Sequence, residues 1–199
     1  MNDLVGITRE LDADLVASAY RQGIFPMGAP DHGVVTWHRP DPRAIIPLEA
    51  FHASRSLAKT LRRGTFEVSY NRAFAEVMRG CAEGRPEWIT RDFHRVYGAL
   101  HASGQAHSVE VWHAGQLAGG VYGVQVGAAF CAESKFHRVT DASKVALAKL
   151  VERLRERDFM LLEVQYVTPH LLQFGTVEIS LAEYLKRLGR AERLARVFE

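Results

Sequence analysis

The chain has 199 residues, of which 47% are hydrophobic, so it can bury a full core and form one domain or two small ones. Its formal net charge of +2 is close to neutral, so a polyanionic partner has to be met by a local basic patch. No apolar run approaches the roughly 18–20 residues of a membrane span, and residues 1–4 lack a basic, apolar signal. The two cysteines have no metal-type spacing, so we expect reduced core thiols and a cytoplasmic location.

The first 63 residues are predicted to form a small N-terminal domain with little regular structure. Gly23 and Gly64 each follow a short amphipathic run, which is typical of a helix end, and Ser54 is a good cap for the second helix. The predicted elements are a helix over 12–22, a Gly/Pro-rich loop over 23–30, an irregular segment over 37–43, a strand over 44–47 and a helix over 54–63.

Residues 64–199 are predicted to form a larger and more regular domain. Apolar residues at helical spacing predict two helices before residue 102, and turns at Gly115 and Gly127 separate three consecutive strands. Ser180 and Glu183 form a capping box for the last helix. The predicted elements are a strand over 66–68, helices over 74–81 and behind Thr90, three strands within 107–136, a helix over 141–157, a strand over 160–166, a helix start at 168–169, a strand over 176–179 and a final helix.

This order of elements predicts a mixed α/β (α+β) fold, with helices on the faces of one sheet, and it resembles the acetyltransferase-like (GNAT) fold. That fold carries acyl donors in a cleft between splayed central strands, so acyl transfer is the leading reaction class by analogy. Residues 137–140, His-Arg-Val-Thr, offer no glycine-rich loop to a pyrophosphate, which argues against acetyl-CoA as the donor.

Three polar residues lie at the ends of apolar strands. Glu133 ends the third strand of the 107–136 stretch, and Glu163 and Gln165 lie in the strand over 160–166. Polar groups in such strands need partners, since an unpaired buried charge is costly. We take these three residues as the candidate chemical centre; the alternative is that they are ordinary satisfied polar groups on a sheet face.

A set of short motifs spans nearly the whole chain in one order. It resembles the leucyl/phenylalanyl-tRNA–protein transferases, and the collinear run is much more specific than any single motif. The matching segments are 19–27 (AYRQGIFPM), 37–46 (WHRPDPRAII), 54–57 (SRSL), 88–90 (WIT), 106–112 (AHSVEVW), 119–124 (GGVYGV), 130–136 (FCAESKF), 142–144 (ASK) and Gln165.

The resemblance implies an activity and two partners. Members of that family transfer a leucyl or phenylalanyl group, and sometimes methionyl, from the 3′ end of a tRNA to the α-amine of an acceptor protein. The acceptors begin with Arg or Lys, and the new N-terminal residue marks them for degradation. The resemblance implies an acetyltransferase-like domain behind a small N-terminal domain, with no metal, CoA or other cofactor. A monomer is the default expectation.

The resemblance also assigns roles at the candidate centre. The reaction is aminolysis of an ester, and Gln165 is expected to accept a hydrogen bond from the acceptor amine and so orient it. Glu163 is expected to hold that amide or to relay the proton. Glu133 is expected to anchor the cationic acceptor or the ribose hydroxyls.

Substrate-binding residues follow by matching position. Trp88 is expected to stack on the terminal adenine. An apolar pocket is expected for the donor side chain, and core packing is the alternative for its aromatic members. The residues assigned to substrate binding are Trp37, Trp88, Val121, Tyr122, Phe130 and Ser134.

The sequence departs from the family near this pocket. His38 and Lys135 beside an apolar pocket would alter the polarity of that pocket. Glu163 is one methylene longer than the family's Asp, which shifts the position of its carboxylate. A second hypothesis is therefore the same fold with a changed donor or acceptor, and a third is a tRNA- or N-terminus-binding module without catalysis. The departures are His38 for Trp, Val121 for Met, Ala132 for Gly, Lys135 for Met, Asp141 for Asn and Glu163 for Asp.

The helix over 54–63 offers a basic face for tRNA phosphates. Its cations have no intervening acid, and three of them share one face by i, i+4, i+7 spacing. An ordinary solvated face is the alternative. The assigned residues are Arg55, Lys59, Arg62 and Arg63, with Arg72, Arg79 and Arg85 as a possible extension and a second stripe at Lys186, Arg187, Arg190, Arg193 and Arg196.

Overall fold

The computed structural model describes residues 3–83 and 88–199. A small three-stranded antiparallel sheet lies near the N-terminus, with its strands in the order β1-β3-β2. These strands are β1 (Leu4–Thr8), β2 (Phe25–Ala29) and β3 (Val34–His38).

A seven-stranded sheet forms the centre of the molecule, in the order β10-β4-β9-β8-β7-β6-β5. Neighbouring strands are antiparallel except β8 and β9, which are parallel and are joined by a helical crossover. The strands are β4 (Arg43–Ile45), β5 (Glu67–Tyr70), β6 (Ala106–His113), β7 (Gln116–Val126), β8 (Ala129–His137), β9 (Leu161–Gln165) and β10 (Val177–Ile179).

Helices cover both faces of this sheet and give two apolar clusters, one on each side. The first face carries α1 (Ala13–Arg21), α3 (Phe74–Ala82), α4 (Arg91–Ala102) and α7 (Leu181–Glu192). The second face carries α2 (Arg55–Arg63), α5 (Ala142–Glu156) and α6 (Pro169–Leu172). Short 3-10 turns lie at Pro30–His32 and Leu48–Ala50.

The predicted mixed α/β fold is confirmed, as are the three consecutive strands and the helices that follow and precede them. The caps predicted at Ser54 and Ser180 are also confirmed, because their hydroxyls accept hydrogen bonds from the backbone of Leu57 and Glu183. These caps use short-range signals, which act in the same way whatever the tertiary structure.

Two predictions for the N-terminal segment are wrong. The Gly/Pro-rich loop over 23–30 contains β2, and Trp37 and His38, predicted as irregular, end β3. A proline is tolerated in β2 because this strand is an edge strand, where one row of backbone amides has no partner to lose. Gly28 is required there, since a Cβ atom would lie 2.3 Å from the carbonyl oxygen of Trp88.

The division at residues 63 and 64 stays a prediction. β4, which lies before that division, is a strand of the large sheet, between β9 and β10. Within the described ranges, none of the helices combines the length and apolar character of a membrane-spanning helix.

Candidate active site

The central strands β8 and β9 separate at their C-terminal ends. Their parallel pairing runs from Ala129 opposite Leu161 to Cys131 opposite Glu163 and then stops. Beyond that point Gln165 Nε2 donates a hydrogen bond to Glu133 Oε1 at 2.9 Å, which joins the two strand ends through side chains. The structure therefore brings Glu133, Glu163 and Gln165 together at the mouth of a cleft between splayed strands.

A β-bulge places Glu133 at this mouth. In the β7–β8 pairing, Tyr122 lies opposite Ser134 and Gly123 lies opposite Ala132, so Glu133 is the extra residue. A bulge re-aims the side chain of its extra residue. The strands can approach this closely because position 123 is glycine, where a Cβ atom would lie 2.2 Å from the carbonyl oxygen of Cys131.

Gln165 lies in a tight turn at the end of β9. Its φ is +57°, in the left-handed region that non-glycine residues avoid. The Tyr166 N–H donates to the carbonyl of Val164 at 2.7 Å, which closes a γ-turn around Gln165. The Gln165 N–H instead donates to Glu163 Oε1 at 2.5 Å. Glu163 thus holds the backbone of Gln165, while Glu133 holds its side-chain amide.

A buried ion pair fixes Glu163. Arg43 on β4 is 1% exposed and donates from Nε to Glu163 Oε1 at 2.8 Å, and Glu163 is 0% exposed. Arg43 also donates to the carbonyl of Gly23 at 2.9 Å, and its guanidinium lies over the rings of Phe25 and Tyr184 at 5.0 and 4.6 Å. Burial alone lowers the pKa of Arg43, but the Glu163 carboxylate outweighs this effect and raises it.

Arg43 is a site residue whose role the sequence analysis missed. It lies inside the matched segment 37–46, directly before three apolar residues, Ala44, Ile45 and Ile46. That context was the available signal, because an arginine within an apolar strand requires a buried partner.

Glu133 has an unusual electrostatic environment. The hydroxyls of Tyr20 on α1 and Tyr97 on α4 are buried behind it and lie 2.7 Å from each other. Burial raises the pKa of Glu133 to about 8, and the Glu163 charge adds to this, whereas hydrogen bonds from Tyr20 and Tyr97 and the charge of Arg43 act in the opposite direction. The two acids therefore differ in charge: Glu163 is the counterion of Arg43, whereas Glu133 holds a proton near neutral pH.

Two cavities open on either side of the Glu133–Gln165 contact, and both are lined by Glu133, Ser134 and Gln165. The larger has a volume of about 200 Å³ and is otherwise lined by Phe25, Pro26, Met27, Trp88 and Tyr166. The smaller has a volume of about 70 Å³ and is otherwise lined by Val121, Ala132, Lys135, Leu147, Val164 and Leu171.

The residues assigned to substrate binding divide into two groups. Trp88 lines the larger cavity, Val121 lines the smaller one, and Ser134 lines both. Tyr122 and Phe130 are 0% exposed and pack in the two apolar cores, outside the linings of these cavities. Trp37 is also buried and donates from Nε1 to Thr8 Oγ1 at 3.0 Å within the small sheet.

A second polar cluster supports the wall of the larger cavity. The Tyr166 hydroxyl donates to Asp3 Oδ2, and Asp3 Oδ1 lies 3.5 Å from His38 Nδ1. His38 stacks on Phe25 at 5.8 Å, so this departure from the family lies behind the cavity wall. The cluster ties the residue after Gln165 to the N-terminal strand.

The cations of α2 are all exposed, and α2 packs through its apolar side against α5. Within residues 3–83 and 88–199, none of the four assigned cations, Arg55, Lys59, Arg62 and Arg63, is held in an ion pair. Arg79, in contrast, lies 3.1 Å from Glu76, and Arg72 lies over Trp112. The prediction for Arg85 falls outside the described residues.

Solved structures with a related arrangement include two acetyltransferases of low sequence identity. A ribosomal-protein-alanine N-acetyltransferase from Brucella melitensis is 16% identical, with a TM-score of 0.39, over 54% of this chain and 84% of that chain. An aminoglycoside acetyltransferase from an uncultured soil metagenomic sample is 14% identical, with a TM-score of 0.44, over 55% of this chain and 88% of that chain.

Curated relatives match at about half of all positions. A leucyl/phenylalanyl-tRNA–protein transferase from Herpetosiphon aurantiacus is 48% identical over 96% of this chain and 100% of its own length. Transferases of the same name from Salinibacter ruber and Ruegeria pomeroyi are 50% and 51% identical, over 92% and 91% of this chain and 80% and 87% of theirs.

Family models agree with these relatives. Residues 45–189 match the leucyl/phenylalanyl-tRNA protein transferase family, and residues 9–41 match the N-terminal domain of the same family. The resemblance noted from the short motifs is therefore confirmed, and the chain belongs to the leucyl/phenylalanyl-tRNA protein transferase family.

Proposed function

We propose that the chain transfers a leucyl or phenylalanyl group from the 3′ end of an aminoacyl-tRNA to the N-terminal α-amine of an acceptor protein. The acceptors of this proposal begin with Arg or Lys, and the added residue marks them for degradation. Family membership supports the reaction class. The observation that carries the proposal is the Gln165–Glu133 contact at the mouth of a strand cleft, with a cavity on each side.

The reaction requires a neutral amine and an oriented ester. The amine nitrogen attacks the ester carbonyl carbon, a C–N bond forms, and the C–O bond to the ribose breaks. The proton leaves the nitrogen and ends on the ribose oxygen. Holding the amine and the ester carbonyl within contact distance lowers the barrier, since positioning alone can supply several kcal/mol, about 7–11 in the best intramolecular cases.

Gln165 is proposed to orient the amine. Its Nε2 is engaged by Glu133, so its side-chain carbonyl points away from Glu133 and is the atom available to accept from the amine. Glu133, with its raised pKa, holds the amide in this orientation and can exchange a proton near neutral pH. We propose that the proton of the attacking amine passes toward the ribose oxygen on this side of the cleft.

Glu163 is proposed to act through Gln165. It is fully buried, and it holds the Gln165 N–H and the Arg43 guanidinium with the same oxygen. Its other oxygen is buried and has no hydrogen-bond partner within the described ranges. This geometry supports a positioning role, in which Glu163 shapes the turn that presents Gln165.

The two cavities suit the two groups that flank the ester. A terminal adenine needs an aromatic surface and a large volume, and the larger cavity offers Trp88 and about 200 Å³. The donor side chain needs an apolar pocket, and the smaller cavity offers Val121, Leu147 and Val164. We propose this assignment, with Ser134 between the two.

The exposed cations of α2 are proposed to bind tRNA phosphates. They lie on an outer helix without competing ion pairs within the described residues, which is the arrangement that counterion release favours. A monomeric, cytoplasmic enzyme without a cofactor completes the proposal.

Transfer of radiolabel tests the proposal. The purified chain is incubated with labelled Leu-tRNA or Phe-tRNA and a peptide that begins with Arg, and label is expected on the peptide. The Gln165→Ala variant is expected to lose this transfer, while Gln173→Ala, an exposed glutamine at the end of α6, is expected to keep it. Absence of label on the peptide with every aminoacyl-tRNA of a full panel contradicts the proposal.

A changed donor or acceptor is the second candidate. It is favoured by Lys135, a cationic residue in the lining of the smaller cavity, which would repel a cationic acceptor residue near it. The same panel separates the candidates, since transfer from another aminoacyl-tRNA, or to acidic N-termini alone, supports the second. Salt-dependent tRNA binding with no transfer supports a binding module instead.

A further inference from the structure

We propose that Asp3 is a positioning residue for the transfer reaction, and that it acts through the hydroxyl of Tyr166 on the turn that presents Gln165. The inference rests on the proposed function, in which the side-chain carbonyl of Gln165 orients the attacking amine. Tyr166 directly follows Gln165 in the chain, and its hydroxyl donates a hydrogen bond to Asp3 Oδ2. The carboxylate beside β1 therefore contacts the residue next to the amide that is proposed to orient the amine.

The turn at Gln165 depends on the contacts around it. Its φ of +57° lies in a region that a non-glycine residue keeps only where the surrounding structure holds it. Glu163 and Glu133 hold Gln165 from the sheet, through its backbone N–H and its side-chain amide. Strand β9 ends at Gln165, so on the outer side the turn is held through Tyr166, whose N–H closes it.

Two contacts hold the side chain of Tyr166. Its ring packs edge-on against the buried ring of Phe25 on β2, with the centroids 5.9 Å apart. Tyr166 is still 40% exposed, so this ring contact leaves one side open to solvent. The hydrogen bond to Asp3 holds the outer end of the ring. A tyrosine side chain has two rotatable torsions, so contacts at the ring and at the hydroxyl together restrict where its backbone can lie.

Asp3 is itself held in place and charged. Its carbonyl accepts from the Arg39 N–H at 2.8 Å, and the next residue, Leu4, pairs with His38. Its Oδ1 lies 3.5 Å from His38 Nδ1. The hydrogen bond from Tyr166 lowers the pKa of Asp3, against the opposing effect of burial, and His38 lowers it further. Asp3 is therefore a carboxylate at neutral pH, which is the stronger form of acceptor.

Loss of the Asp3–Tyr166 hydrogen bond loosens the turn but removes no group that is proposed to touch the reacting atoms. A misplacement of about 1 Å at a reacting group can cost on the order of 100-fold in rate. A loosened turn is displaced for part of the time, so we expect kcat to fall by about tenfold. The larger cavity keeps the Trp88 surface proposed for the adenine, so the KM for aminoacyl-tRNA is expected to change by less than about twofold.

The test measures kcat and KM for transfer from labelled Leu-tRNA or Phe-tRNA to a peptide that begins with Arg. Tyr166→Phe, which removes only the hydroxyl, and Asp3→Ala are each expected to lower kcat by about tenfold. Asp3→Asn keeps an oxygen that can accept from Tyr166, so it is expected to restore most of the rate. The double variant Asp3→Ala with Tyr166→Phe is expected to be no slower than either single variant, because both changes remove the same hydrogen bond.

Thr8→Val is the control for a general weakening of β1. The Thr8 hydroxyl accepts from Trp37 Nε1 at 3.0 Å and donates to the carbonyl of Glu10 at 2.9 Å, so this change removes hydrogen bonds of the same strand away from Tyr166. It is expected to lower the midpoint of urea unfolding and to leave kcat unchanged. If Asp3→Ala does not fold, Tyr166→Phe and Asp3→Asn decide the inference.

Three results overturn the inference. The first is an unchanged kcat in Tyr166→Phe. The second is a kcat that falls as far in Thr8→Val as in Tyr166→Phe, because the effect is then a general one of β1. The third is an Asp3→Asn variant that is as slow as Asp3→Ala.

If the unmodified chain transfers no label, the proposed function fails, and the coupling of Asp3 to the turn is decided on the free protein. The backbone amides of Gln165 and Tyr166 both donate within the turn, so their hydrogen exchange, measured by NMR, reports its opening. Faster exchange of both amides in Tyr166→Phe, but not in Thr8→Val, supports the coupling. Unchanged exchange in Tyr166→Phe contradicts it.

Discussion

The buried Arg43–Glu163 pair offers the sharpest test of how the site is held. The change is Arg43→Met, which keeps an apolar stem but removes the charge beside a carboxylate that is 0% exposed. Removing one partner of a buried pair costs about 3–5 kcal/mol, because the other charge is left buried and uncompensated. The two ring contacts of the guanidinium add up to about 2 kcal/mol each when desolvated, and these contributions are not additive.

The stability that Arg43→Met is expected to remove is a large share of the total, since the free energy of unfolding of a native protein is about 5–15 kcal/mol. Urea unfolding measures it as a fall in the transition midpoint at unchanged slope. Arg138→Met is a matched control, because Arg138 also forms an ion pair with a glutamate, Glu83, at 2.6 Å, but both partners are exposed. That pair is worth about 0–1 kcal/mol.

The double variant Arg43→Met with Glu163→Gln is expected to recover part of the loss, because it leaves no buried charge behind. The reasoning is refuted if Arg43→Met costs no more than Arg138→Met. It is also refuted if the double variant is less stable than Arg43→Met alone.

Three further outcomes are expected. Gln165→Ala should lower transfer by about 100-fold, and Gln165→Gly should lower it equally. The glycine variant should be at least as stable as the alanine variant, because glycine adopts a φ of +57° without strain. The radiolabel assay measures the transfer, and thermal melting measures the stability. Glu133, with its pKa raised from 4.5 to about 8, keeps a proton that the unfolded chain loses. Its contribution to the free energy of unfolding is therefore full below about pH 4.5 and is lost as the pH rises toward 8. Glu133→Gln should make the free energy of unfolding, measured with urea, fall less steeply over this pH range. Lys59→Gln with Arg62→Gln should reduce the slope of log affinity for tRNA against log salt by about 0.7–0.9 per lost contact, whereas Arg187→Gln, on a residue already paired with an acid, should leave it unchanged.

The sequence predicted those parts of the fold that depend on neighbours along the chain. Gly115 and Gly127 marked the turns between β6, β7 and β8, and Ser54 and Ser180 marked helix starts, because turns and caps are local chemistry. Strand β2 was missed because its glycines and proline are typical of loops. Its stability comes from pairing with β3, which local composition does not reveal.

The identity of the three central residues could also be predicted, since polar groups at the ends of apolar strands are unusual and the short motifs are specific. Their arrangement could not. The turn at Gln165 and the bulge at Glu133 each depend on the register of neighbouring strands. In addition, β4 pairs with β9 although the two strands are far apart in the chain. The buried hydroxyls of Tyr20 and Tyr97 meet Glu133 only because α1 and α4 pack on the same face.

The contacts that close the site join residues far apart in the chain, and this has a consequence during synthesis. Arg43 and Glu163 are 120 positions apart, and Asp3 and Tyr166 are 163 apart. Contacts of such separation form late, because the entropy of closing long loops has to be overcome first. While β9 is still inside the ribosome, the nascent chain has neither the γ-turn nor the cleft. The candidate site can therefore form only after β9 has emerged, when most of the chain has been made.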